Sequence, residues 1–86
     1  MAVLSAKDRE RLRCRARRGL LENDLIITRF LDAHIQDLTD AEADVLLQLF
    51  ELDDNELLDL LLARKEPEGA VDTPAARDLI RRMREI

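Results

Sequence analysis

Residues 39–62, TDAEADVLLQLFELDDNELLDLLL, read as two short helices joined head to tail. Thr39 and Glu42 form a T-x-x-E capping box, in which each side chain satisfies a free backbone N–H at a helix start. Val45, Leu46, Leu49 and Phe50 then recur at the i, i+3, i+4 spacing of one helical face. Asp53 and Glu56 repeat the start signal, and Leu57, Leu58, Leu61 and Leu62 are assigned to the inner face of the next helix. This predicts a helix over 40–51 and another over 54–65, ended by Pro67.

The same grammar extends in both directions. Upstream, Ser5 is a good N-cap for a helix over 5–17 with a thin apolar stripe, Leu12 and Ala16. Gly19 stands where a left-handed residue closes a helix. A helix over 22–36 carries Ile27, Phe30, Leu31 and Ile35 on one face, with Leu38 continuing the stripe. Downstream, residues 66–72 are turn-rich, and Thr73 with Pro74 opens a helix over 74–85 lined by Ala76, Leu79, Ile80 and Met83. No segment alternates as a strand does, and no repeat is visible. The fold predicted is all-α, a compact bundle of about five short helices, with residues 1–86 forming a single helical domain.

Composition narrows the function. A chain of 86 residues buries only about 60–65% of the surface its unfolded form exposes, enough for a core but not for a deep walled cavity besides. A self-contained enzyme is therefore disfavoured. The total charge is −5, unevenly spread. Residues 1–18 hold seven basic and two acidic groups, 19–72 three and fifteen, and 73–86 four and two. Basic ends around an acidic middle mean either two binding faces or ends that fold back onto the body. One cysteine, Cys14, cannot close an internal disulfide, and the N-terminal stretch lacks a secretory pattern, so a cytoplasmic setting is expected. The Leu60 to Leu62 run is far short of the roughly 20 apolar residues of a membrane helix, so no membrane insertion is expected.

Few residues offer chemistry of their own. One His and one Cys make no metal site. His34, beside the second helix's stripe, reads as a hydrogen-bonded boundary residue, and Cys14 as a half-buried filler rather than a reactive thiol. The carboxylate pair Asp53 and Asp54 suits capping and solvation, so no catalytic residue is assigned. Arginines at 9, 11, 13, 15, 17 and 18 resemble a phosphate-binding run. At i, i+2 spacing, however, they spread around a helix, and the chain is net acidic and without Tyr or Trp, so no nucleic-acid partner is expected. The local run Arg18-Gly19-Leu20-Leu21-Glu22 is more telling. It makes a corner where one helix stops at glycine and the next starts on an acid suited to its positive end.

This RGLLE run, followed by Asp24, Ile26, Ile27 and Phe30, resembles the RGxxE signature of the SdhE family, also called succinate dehydrogenase assembly factor 2. The similarity continues through Cys14, Arg17, Arg18 and Gly19 and through LTDAEADVLLQLFELDDNELLDLLLARKEP, covering roughly residues 8 to 67. The resemblance implies a five-helix factor that binds the flavoprotein subunit of succinate dehydrogenase, and in some bacteria that of fumarate reductase, and promotes covalent attachment of FAD. It implies a bacterial cytoplasmic protein that is not itself the catalyst, the FAD belonging to the client. Carried over, Arg18, Gly19 and Glu22 are the client-binding motif, with Arg17 and Asp24 secondary candidates. Leu60 departs from the tryptophan that many relatives carry, which places a difference either in packing or in an apolar client contact. An antitoxin-like regulatory protein is the alternative, and a noncovalent FAD carrier a third. Phe30 and Phe50, both core-facing by spacing, leave little to stack on an isoalloxazine ring, so no tightly bound cofactor is expected.

Overall fold

Four helices start on the side chains that the sequence nominates. The structure, a computed structural model, describes residues 4–17 and 19–86. Ser5 caps α1 (Ala6–Ala16) by accepting the Asp8 N–H at 3.1 Å. Thr39 caps α3 (Asp40–Leu49) by accepting the Glu42 N–H at 3.2 Å, while Glu42 Oε1 accepts the Thr39 N–H at 3.1 Å. Asp53 caps α4 (Asp54–Leu61) and Thr73 caps α5 (Pro74–Arg84) in the same way. Each cap contributes about 1 kcal/mol to helices too short to persist alone. Among the α-helices of the described residues, only α2 (Leu21–His34) starts without a side-chain cap, on Leu20.

The five helices enclose one core, and α2 lies against α1, α4 and α5 while α3 covers α1 and α5. Ile27, Phe30, Leu31, Leu46, Leu49, Leu57, Leu79, Ile80 and Met83 are all but inaccessible to solvent. The Cα radius of gyration, 11.9 Å, matches the roughly 12 Å of a compact chain of this length. Phe30 is among the fully buried residues. Its ring lies 4.9 Å from that of His34 and 5.5 Å from the Arg82 guanidinium, which in turn bonds Glu42 at 2.8 Å. Burial alone would push the Glu42 carboxyl up. The Thr39 N–H and the bonded, charged Arg82 outweigh it and hold the group below the ordinary carboxylate range.

Three expectations need correction. First, α4 ends at Leu61 rather than 65, because Ala63 adopts a left-handed conformation with φ 60°. The Ala63 N–H donates to Leu60 O at 3.2 Å and the Arg64 N–H to Asp59 O at 2.8 Å, a Schellman ending built without glycine. Second, the inner face of α4 is Leu57, Leu60 and Leu61, whereas Leu58 is half-buried and Leu62 is 44% exposed. Leu60 is thus a core residue, so its departure from tryptophan falls on packing. The stretch read as turn-rich contains a 3₁₀ turn at Gly69–Val71. Third, Cys14 is exposed rather than half-buried. It lies about 200° around the helix from both Leu12 and Ala16, which take the inward face.

The basic ends fold back on the acidic middle. Arg13 pairs with Asp32 at 3.0 Å, Arg82 with Glu42 at 2.8 Å, and Arg84 with Glu66 at 3.2 Å. Arg84 also donates to Leu60 O at 2.8 Å and Lys65 O at 3.2 Å, tying α5 to the end of α4. These contacts fix the turn in which Ala63 is strained. Replacing Ala63 with glycine removes the Cβ penalty of the left-handed conformation, offset in part by unfolded-chain entropy. The expected gain is about 1 kcal/mol, a rise in Tm of about 4–8 °C in a thermal melt.

Candidate functional site

The corner between α1 and α2 differs in detail from a helix closed by glycine. Helix α1 stops at Ala16, and Arg17 is already extended, with φ −81° and ψ 107°. Gly19 follows with φ +93°, a left-handed turn residue beyond the helix rather than its cap. A side chain at that φ is strained, yet a Cβ placed on Gly19 would meet nothing within 4 Å. The glycine therefore serves the backbone turn and leaves open space outside it.

Asp24 holds this turn from the first coil of α2. Its Oδ2 accepts the Gly19 N–H at 3.3 Å, while its own N–H donates to Leu20 O at 3.0 Å. Glu22, in the same coil, is exposed and makes no hydrogen bond or ion pair with any described residue. An acid there faces the positive end of the α2 dipole. Arg17 is also exposed, and with Cys14, Arg15, Phe50, Asp53 and Asp54 it lines an open depression of about 430 Å³. Of the five sequence candidates, the structure joins Gly19 and Asp24 directly, leaves Glu22 projecting, and sets Arg17 on the neighbouring depression. Arg18 lies outside the described residues.

Asn23 is the residue that the sequence reasoning missed. It is fully buried, and its Nδ2 donates to the Asp54 carbonyl at 3.0 Å. That bond ties the first turn of α2 to the first turn of α4. Its Oδ1 is buried with no hydrogen-bond partner among the described residues. A signal was present, since Asn23, Ile27 and Phe30 follow the i, i+4, i+7 spacing of the inward face.

Among the described residues no group of three or more His, Cys, Asp or Glu side chains could hold a metal. His34 is half-buried and touches the Phe30 ring instead of making the expected side-chain hydrogen bond to a described residue. Phe30 and Phe50 are 0% and 6% exposed, so neither ring is free to stack on a flavin. Arg11, Arg15 and Arg17 are exposed, and Phe50, which shares a depression with Arg15 and Arg17, is only 6% exposed.

The family model described as Sdh5, flavinator of succinate dehydrogenase, matches residues 10–86. The chain belongs to the succinate dehydrogenase flavinator family. Among relatives of this flavinator chain, a protein of Ralstonia nicotianae named FAD assembly factor SdhE is 56% identical over 78 residues, 91% of this chain and 82% of its own. Proteins of the same name from Coxiella burnetii and Photobacterium profundum are 34% and 35% identical, over 71% and 80% of this chain and 74% and 78% of their own. No solved structure matches it. The resemblance carried by RGLLE and the 38–67 run thus extends through α5. Among the described residues of this flavinator, no helix is long and apolar enough to cross a membrane.

Proposed function

We propose that this chain promotes covalent attachment of FAD to the flavoprotein subunit of succinate dehydrogenase by docking its α1–α2 corner on that subunit. The observation that carries the proposal is the open Gly19 turn, pinned by Asp24 and flanked by an exposed Glu22 with no partner among the described residues. Membership of the flavinator family supplies the client. Gly19 lets a client segment approach the backbone, and Glu22 answers a basic client group by a charge-assisted hydrogen bond. Arg18 completes the motif by position, with Arg17 beside it and Asp24 holding the turn.

A helper of this kind changes a rate only by binding one client conformation better than another, and that difference in affinity is the most it contributes. The flavin–histidine bond is accordingly formed inside the client, and FAD stays with the client. The fumarate reductase flavoprotein, where present, is a second client of the same chemistry. We place the action in the bacterial cytoplasm, where the exposed Cys14 stays reduced, and assign it to residues 1–86 as one helical domain.

In-gel flavin fluorescence of the succinate dehydrogenase flavoprotein, with and without the gene for this chain, tests the proposal. The covalent flavin band is expected to fall at least about tenfold without the gene and to return when the chain is supplied in trans. An unchanged band overturns the function. Recovery of a toxin rather than a flavoprotein with the tagged chain would favour the antitoxin reading instead.

A further inference from the structure

The outer face of α2 carries a feature that the motif does not use. Leu21 is 66% exposed and Leu25 47% exposed, one turn apart on the same side of the helix. At about 100° per residue, Leu25 lies about 180° from the direction shared by Asn23, Ile27, Phe30 and Leu31, so the pair faces away from the core. Glu22 and Arg29 flank it on one edge, both exposed and neither paired with a described residue. Leu21 lies two residues beyond the open Gly19 turn, so the apolar pair and the corner form one continuous surface.

Resting on the proposed function, we infer that Leu21 and Leu25 are the apolar anchor of the client interface. Their occupant is an apolar patch on the succinate dehydrogenase flavoprotein, bordered by a basic group facing Glu22 and an acidic group facing Arg29. Two apolar side chains held on a rigid helix beside complementary charges have the composition of an interface centre with a polar rim. A second copy of this chain fits less well. Two leucines per chain contribute far less than the roughly 1,200–2,000 Å² that a stable interface buries, whereas the client adds the whole corner to the contact. The motif then sets orientation and supplies the charged contact, and the leucines supply the apolar part of the affinity.

The test uses the full chain with Leu21→Ala and Leu25→Ala, singly and together, since alanine preserves helix propensity. Affinity for the purified flavoprotein subunit is measured by titration, with Leu62→Ala as the control at an exposed leucine just beyond α4. Each α2 variant is expected to bind about tenfold more weakly and the pair more weakly still, with Tm little changed and the Leu62 variant at the wild-type level. Wild-type affinity in the double variant overturns the anchor. If Glu22→Ala still impairs binding in that case, the proposed function survives without it; if neither does, both fall. A dimer-to-monomer change in sedimentation with client affinity intact assigns the face to a second copy and also overturns the anchor.

Discussion

Glu22→Ala is expected to leave the chain folded and to lower covalent flavin on the client by an order of magnitude or more. The two halves of that expectation rest on different observations. Within the chain, Glu22 is exposed and bonded to no described residue, so its removal costs only its interaction with the α2 dipole, about 0.3–1 kcal/mol. At a client interface the same carboxylate is desolvated against a basic group. Truncating one partner of such a pair costs about 2–5 kcal/mol, a thirtyfold or greater loss of affinity. Since the helper acts through affinity, flavinylation at limiting helper falls with it. Gly19→Ala separates the corner's shape from its charge. Apart from its chain neighbours, no described residue comes within 4 Å of the new methyl group, but φ +93° strains it by about 1–2 kcal/mol. The turn then relaxes away from Asp24, and client flavin falls while Tm drops by about 4–8 °C per kcal/mol. In-gel fluorescence and a thermal melt on the same variants check both. Wild-type flavin levels in both variants would remove the corner from the mechanism.

What the sequence reveals and what it hides divide along physical lines. Ser5, Thr39, Asp53 and Thr73 all cap as expected, because capping is local chemistry over four residues. The stripes of α2 and α5 are legible too, since polar residues alternate with apolar ones often enough to set the phase. Helix α4 defeats the same method. Five of the six residues from 57 to 62 are leucine, so spacing alone cannot choose the buried face, and packing selects Leu60 over Leu58 and Leu62. Its end is hidden for a different reason, because Ala63 takes a conformation that its side chain disfavours and tertiary bonds from Arg84 hold the segment there. At the site, RGLLE marks the corner and Asp24 braces it from only five residues away, but Asn23 as a buried tie to α4 depends on a contact 31 residues distant. Such a contact has no local signature.

The largest loss of stability is expected from Phe30→Ala, and its consequence reaches the corner. The ring is fully buried and makes three kinds of contact at once, with the aliphatic core, with the His34 ring and with the Arg82 guanidinium. Truncation leaves a cavity and costs about 3–5 kcal/mol. It also releases Arg82, whose pairing with Glu42 links α5 to the start of α3. A domain of this size has about 4–13 kcal/mol in total, so the variant is expected to be partly unfolded near 37 °C. With m near 1–3 kcal/mol/M, the urea midpoint falls by at least about 1 M. Because Phe30 and the corner residues share α2, loosening the helix from the core also loosens Asn23 from Asp54 and Gly19 from Asp24. Flavinylation should therefore fall in step with the folded fraction and recover on cooling, unlike Glu22→Ala, whose defect persists in a fully folded chain. A Phe30→Ala variant with an unshifted urea midpoint would show that α2 is not the element on which the core is built.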